Sequence, residues 1–345
     1  MVNGEKQINN KIFVCTSAYN DTDIEITLET AYLNASKPEN IYFGIAMQYP
    51  DIQKPDLSLY KNVRTIDILD AYPIGTSPSR AIAAKLIEDE DYFLSIDAHT
   101  IFKKDWDKNL IEYFSEIKEK YKKPIISTYS PYWYRDEQGC IFNQNKNVSF
   151  EEEMAQHTLK FKMDDEFFPE NYTMPTPTWD KVVTSRYQEH YLIGAHLLFA
   201  ESSYLNEVPF DPYITYHEEN TTAMRAWTRG YRIFAIDKDI LWTREMYHGV
   251  ADADSWRKKI ERKSSDGFTY ADKISIGALR CKDILLGKEL GLYGSPSIDL
   301  LKEYEVTAGV DHESVYKKIY DRVEASPDAN TPARSMYNFD KARNA

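Results

Sequence analysis

The sequence predicts an α/β protein with a largely parallel central sheet flanked by helices, followed by a mostly helical C-terminal extension. Three observations lead there. Short apolar runs, "KIFVCTSAY", "IYFGIAMQY", "VRTIDIL", "YFLSI" and "PIISTYS", read as strands, "YFLSI" as a buried one. Helical stretches separate several of them, which is the alternation that builds parallel sheets with helices on both faces. Beyond about residue 256 the strand-like runs give way to helical patterns.

Taken in order, the first strand runs into a polar loop, Asn20-Asp21-Thr22-Asp23. A helix follows over "IEITLETAYLNAS", with Ile24, Leu28, Ala31 and Tyr32 on one face, and Lys37-Pro38-Glu39-Asn40 stops it. In "SPSRAIAAKLIEDED", Ser77 is the expected cap and Pro78 the first helical residue. "YLIGAHLLFAESSYLNEVPFDP" reads as a strand pair with a turn. "EENTTAMRAWTRGYRIFAI" reads as a helix ended by Gly230 and followed by a strand. The expected organisation is a domain over 1–255 with a lid or acceptor-binding insertion at about 132–190, a helical extension over 256–325, and a loose tail over 326–345.

Composition narrows the function classes. A chain of 345 residues with 42% hydrophobic and 28% charged residues can bury one large core or two modest ones. The net charge of −13 argues against nonspecific wrapping of nucleic acid, whose affinity is electrostatic. Two local basic runs remain: Lys118, Lys120, Lys122 and Lys123, and "WRKKIERK" with Arg257, Lys258, Lys259, Arg262 and Lys263. Charge runs of this kind are usually solvated helix faces. The 26 tyrosines suggest surfaces that stack on, or hydrogen-bond to, ring-shaped ligands, although tyrosines also simply cover cores. Cys15, Cys140 and Cys281 show neither metal spacing nor a disulfide framework, and "MVNGEKQINNK" lacks an apolar signal core. The expectation is a cytoplasmic protein with no membrane span.

The chemistry concentrates where "YFLSI" ends. Asp97 and His99 stand two apart, so a carboxylate oxygen and an imidazole nitrogen can share a borderline divalent cation. Open α/β sheets collect ligands at the carboxyl ends of their strands, where Asn20 and Asp21 also lie. Alone the string is common, and a capping aspartate beside a packed histidine gives it too. Arg80 can deliver a guanidinium toward phosphate oxygens. Glu218 and Glu219 precede Asn220 and a helix carrying Arg225 and Trp227, and His248 follows the strand "YRIFAI" as a candidate third metal ligand.

The segments "IFVCTSAYND", "KPENIYFGI", "SPSRAIAAKLIEDEDYFLSIDAHTIFKKDWDKNLIEYF", "PIISTYSPY", "LLFAESSYLNEVPFDPYITYHEEN" and "AMRAWTRGY", in that order, resemble the cytoplasmic polypeptide (hydroxyproline) GlcNAc-transferase family. The likeness covers roughly residues 11 to 312. More distantly the chain is similar to mucin-type polypeptide GalNAc-transferases. The resemblance implies a GT-A fold, a UDP-linked nucleotide-sugar donor, a divalent metal (manganese, or magnesium) and transfer with retention of anomeric configuration. It implies that Asp97 and His99 hold the metal and that Thr16, Ser17, Tyr19 and Asp21 form the nucleotide loop. It places Arg80 near the diphosphate, and Glu218, Glu219 and Asn220 at the donor sugar. Two positions depart from the family: Ala98 replaces a serine, and Trp242 or Thr243 stands where a histidine is usual. With no carboxylate visibly placed as a nucleophile, front-face attack with the departing phosphate as base is expected. The acceptor is a polypeptide hydroxyl by resemblance. A hydroxymethylated base of modified DNA, a noncatalytic nucleotide-sugar-binding module and a nucleotide-sugar hydrolase are the alternatives.

Overall fold

The computed structural model describes residues 9–135, 141–143, 152–161, 177–215, 218–244, 263 and 267–325. The first strand, β1 (Ile12–Tyr19), sets the layering. Its side chains alternate: Ile12 and Val14 enter one apolar cluster, Phe13 and Cys15 the other. Helices α1 (Ile24–Asn34) and α3 (Trp106–Lys118) cover the first face with Leu28, Ala31, Trp106, Leu110 and Phe114. The opposite face takes Ala83 of α2 (Thr76–Ala83), Tyr204 of α4 (Tyr204–Glu207), and Ala223 and Ala226 of α5 (Glu219–Trp227).

Eight strands form the main sheet. Parallel pairs join β1 to β2 (Ile41–Gln48) and to β4 (Tyr92–Ser95), and β2 to β3 (Val63–Asp67). A further parallel pair joins β6 (Pro124–Thr128) to β13 (Arg232–Ile236). Between these halves lies β12 (Leu197–Glu201), antiparallel to both β4 and β6, and β11 (Tyr187–His190) closes the far edge antiparallel to β13. The sheet is therefore more mixed than the sequence suggests, because β12 is reached through the insertion rather than over a crossover helix. A smaller sheet has the order β5 (Thr100–Phe102), β14 (Leu241–Arg244), β7 (Tyr132–Arg135), β8 (Ile141–Asn143), and β9 (His157–Phe161) pairs with β10 (Pro177–Val182).

Two local expectations are corrected. The segment after β12 is the short helix α4 rather than a second strand, because Leu205 and Asn206 turn back onto the carbonyls of Ser202 and Ser203 and Tyr204 packs beside Phe93 and Tyr231. Ser77 does not cap α2: its hydroxyl donates to the Asp211 carbonyl at 2.9 Å, and the helix begins at Thr76 after Gly75.

Helices α6 (Tyr270–Leu285), α7 (Ile298–Ala308) and α8 (His312–Ala325) follow. Thr269 and Asp272 form a capping box on α6, and Ser297 caps α7, whose end is turned by Gly309. Their apolar residues share a cluster with Met224 and Trp227 of α5. Among the described residues no helix is long and apolar enough to cross a membrane.

Gly75 fixes the start of α2. Its φ is +102°, and a Cβ there would stand 2.8 Å from the Thr215 carbonyl oxygen, a backbone atom that cannot rotate away. Gly75→Ala is expected to cost about 2 kcal/mol or more in urea denaturation, through strain and overpacking together.

Candidate functional site

The carboxyl end of β4 is where the acid and the imidazole meet. Residues 96–99 link β4 to β5, and Ala98 is buried there, its carbonyl accepting from Thr27 Oγ1 at 2.6 Å. That anchor turns Asp97 and His99 the other way. Asp97 Oδ2 and His99 Nε2 lie 4.0 Å apart, within the span two donors bridge when each sits about 2.1 Å from one ion. His99 Nδ1 lies 2.8 Å from Asp21 Oδ2. A carboxylate only accepts, so Nδ1 carries the proton and Nε2 is left facing Asp97 with a lone pair. A carboxylate behind an imidazole is the arrangement that fixes the tautomer of metal-binding histidines. The residues fit a divalent cation on donor chemistry.

The charges agree. Burial works against the His99 cation, but the Asp21 hydrogen bond and the charges of Asp21, Asp97 and Asp23 outweigh it and raise its pKa. Burial likewise opposes ionisation of Asp97, and the charges of His99, Arg80 and His196 overcome it and hold the carboxyl below its usual range. Thr243 Oγ1 donates to Asp97 Oδ2 at 3.2 Å, so the residue at the departing position touches the site through a hydroxyl, while Trp242 is fully buried. Among the described residues no set of three His, Cys, Asp or Glu side chains gathers around one point. His248 lies outside the described residues.

Arg80 is 2% exposed. Its NH2 donates to Asp97 Oδ1 at 2.8 Å and its NH1 to Glu218 Oε1 at 3.2 Å, with further bonds to the carbonyls of Ile96 and Ala195. Its terminal nitrogens are thus engaged by carboxylates and carbonyls of the site. Glu219 occupies the neighbouring position: Tyr129 OH and the Ala195 N–H both lie 2.8 Å from it. Burial, reinforced by the charge of Glu218, pushes the Glu219 carboxyl up to about 8. Asn220 is buried in the first turn of α5. Arg225 is buried as well, but it donates to the carbonyls of Pro209 and Leu292 rather than to either glutamate.

The first-strand loop contributes Asp21 directly. Thr16 is buried on β1 with no partner for Oγ1 among the described residues, and Ser17 and Tyr19 are half-buried toward the strand end. His196 is a residue that the sequence reading did not place at the site. It precedes β12, accepts at Nδ1 from the Ser130 N–H at 3.2 Å, and feels the charges of both Asp97 and His99. Burial holds it neutral, with its pKa down to about 4. The available signal was a histidine inside the apolar run "YLIGAHLLFA", just after a glycine whose Cβ would meet the Thr128 backbone at 2.6 Å.

The basic run at 118–123 is largely committed to neighbours: Lys118, Lys120 and Lys123 donate to Glu201, Tyr187 and Glu207. Of the second run only Lys263 lies within the described residues.

Two outcomes follow from this geometry. Removing Arg80 leaves two shielded carboxylates without their cation, so Arg80→Ala is expected to lose about 3 kcal/mol in urea denaturation. Glu219 has its folded pKa raised, so the stability tied to its proton is present below about pH 4.5, where the unfolded state is also protonated. That contribution is lost as pH rises to about 8. Glu219→Gln is expected to raise the thermal midpoint of the metal-free protein by an amount that grows from pH 5 to pH 8; a pH-independent difference would contradict it.

Comparison with known proteins supplies the frame. A family model described as "Glycosyltransferase (GlcNAc)" matches residues 49–274. No curated protein matches in sequence. Among solved structures, GalNAc-T7 with UDP, GalNAc and Mn2+ superposes with a TM-score of 0.50 at 13% identity, covering 92% of this chain and 58% of that one. S. aureus TarS 1-349 in complex with UDP-GlcNAc gives 0.47 at 12% identity, covering 85% and 71%. The mannosyltransferase PcManGT from Pyrobaculum calidifontis with GDP-Man and Mn2+ gives 0.45 at 10%, covering 96% and 80%. The chain spans 42% of the length of the longer TarS structure. The fold is that of the GT-A glycosyltransferases, a central sheet flanked by helices. With the match running over most of the sequence, the chain belongs to the Glycosyltransferase (GlcNAc) family.

Proposed function

We propose that this chain is a metal-dependent, retaining glycosyltransferase that moves a GlcNAc-like sugar from a UDP-linked donor to a hydroxyl acceptor on a polypeptide. The observation that carries the reading is the Asp21–His99–Asp97 arrangement, an imidazole oriented from behind and facing a carboxylate across an ion-sized gap. Asp97 and His99 hold a divalent cation, manganese or magnesium, and His248 is the proposed third ligand. When bound, that cation neutralises the negative charge that builds on a diphosphate leaving group.

The protein's own groups do the rest. Arg80 orients Asp97 and Glu218 together, so its proposed influence on the diphosphate passes through the carboxylate it holds. Thr16, Ser17 and Tyr19 line the nucleotide end of β1, while Asp21 turns to His99. Glu218, Glu219 and Asn220 face the donor sugar. Neither glutamate is free to act as a nucleophile: Glu218 is paired with Arg80, and Glu219 holds its proton near neutral pH between Tyr129 and Ala195. This supports front-face attack, in which the departing phosphate takes the acceptor proton and the sugar keeps its configuration. The cytoplasmic location and the polypeptide acceptor rest on the sequence resemblance.

The test is to incubate the protein and manganese with a panel of nucleotide sugars, with and without hydroxyl-bearing peptides. Asp97→Ala and His99→Ala are expected to abolish transfer while the fold persists, and a chelator to do the same. Asp21→Asn is expected to weaken the apparent manganese affinity about 10–100-fold, because it disturbs the imidazole and not the ion directly. Full activity in chelator or in either ligand mutant would overturn the metal assignment; His248→Ala with unchanged manganese dependence would move the third ligand elsewhere.

A further inference from the structure

The link that carries Asp97 and His99 has its carbonyls held in turn. Arg80 donates to the carbonyl of Ile96, and Thr100 Oγ1 to that of Asp97 at 2.9 Å. The carbonyl of His99 accepts from the Arg244 N–H and from Trp133 Nε1, each at 3.0 Å. The remaining one, that of Ala98, is held from outside the sheet. β5 stands at the edge of its four-stranded sheet, paired with β14 on one side. Its other side meets α1, where Thr27, Thr30 and Asn34 share one helix face. Thr27 Oγ1 accepts from the Thr100 N–H at 2.8 Å, and Thr30 Oγ1 from the Phe102 N–H at 3.2 Å. Asn34 Nδ2 donates to the Phe102 carbonyl at 2.7 Å. Side chains of a helix thus take the place of a neighbouring strand along this edge.

Thr27 differs from the other two. The hydroxyl that accepts from Thr100 also donates to the Ala98 carbonyl at 2.6 Å, and Thr27 and Thr100 are both fully buried. The Ala98 carbonyl belongs to the peptide plane before His99, and the Thr100 N–H to the plane after it. One hydroxyl therefore ties both rigid planes that flank the His99 Cα, and the direction of its Cβ follows from them. We propose that Thr27 is a positioning residue for the metal-ligand pair: its hydroxyl sets the direction in which His99 leaves the chain and so keeps Nε2 across from Asp97 Oδ2. The inference rests on the proposed divalent cation and adds a residue that acts on it only through the backbone. α1 also follows the loop that supplies Asp21, whose carboxylate meets His99 Nδ1, so the same segment steadies the imidazole from its backbone and from its ring. Sites of this kind need their groups held to within about 0.5 Å and 10–20°. Valine keeps the branched shape of threonine but leaves a buried carbonyl and a buried N–H unpaired, and a link that moves to satisfy them takes His99 with it.

The experiment titrates Mn2+ into the full chain with UDP present and follows the electron paramagnetic resonance signal of the free ion, so that binding is read without turnover. Wild type is compared with Thr27→Val, Thr27→Ser and Thr30→Val, each at a temperature where it is folded. Thr27→Val is expected to bind manganese about tenfold more weakly, as for the loss of a group that orients a ligand. Thr27→Ser, which restores the hydroxyl, is expected to return close to the wild-type affinity. Thr30→Val breaks a bond of the same kind to the same strand, beyond the ligand pair; it is expected to lower the thermal midpoint of the metal-free protein while keeping the wild-type manganese affinity. If Thr27→Val does not fold, Thr27→Ala removes the hydroxyl without added bulk and is read in the same way. Wild-type affinity without the Thr27 hydroxyl, no rescue by serine, or an equal loss in Thr30→Val overturns the positioning role and leaves the metal reading standing. A wild-type protein that binds no manganese overturns the metal reading, and the role of Thr27 with it.

Discussion

The site depends on one buried guanidinium. Arg80 leaves α2, passes under the end of β4, and reaches the start of α5, so three elements far apart in sequence are held by a single side chain. Each carboxylate it meets is only partly solvated, and each would be costly to bury alone. A buried ion pair of this kind is weak evidence for stability, but it permits few geometries, because the fork of the guanidinium must satisfy Asp97, Glu218 and two carbonyls together. Its Nε has no partner among the described residues, a cost that the fold carries to keep the other bonds.

A second clamp lies across β14. Adjacent residues of a strand face opposite ways, and here Thr243 donates to Asp97 while Arg244 pairs with Asp23 at 2.7 Å. Arg135 of β7 pairs with the same aspartate. Asp23, almost fully buried before the first turn of α1, therefore joins the helix start to the small sheet, and Asp21 two residues earlier holds His99. In the proposed site the acids Asp21, Asp97 and Glu218 at least match the neighbouring cations in number. An anionic donor would meet little net attraction there until a divalent ion arrived, which gives the metal an electrostatic reason as well as a geometric one.

The sheet strands and the closeness of Asp97 and His99 were legible because each depends on neighbours in sequence: a buried strand is an apolar run, and two side chains two residues apart in a short link stay adjacent. What the sequence hid was long-range pairing. Asp21 finds His99 across the chain, Thr243 finds Asp97, and Arg80 looks like a surface arginine until Glu218 is brought to it. The strand direction of β12 was hidden for a similar reason, since its apolar pattern is the same whichever way it runs. His196 was passed over because one polar residue in an apolar stretch carries no period.

The placement of β12 has a consequence for how the chain reaches its native state. Leu198 pairs with Ser95 on one side and Ser127 on the other, so the two halves of the sheet meet only across a strand made well after β4 and β6, the two strands it joins. During synthesis β4 and β6 both wait as open edges while the whole insertion emerges. Pairings of such long sequence separation are slow to form, and waiting edges invite association with other chains. The central position of β12, which brings His196 toward Asp97 and His99, also makes this strand the step at which folding and aggregation compete.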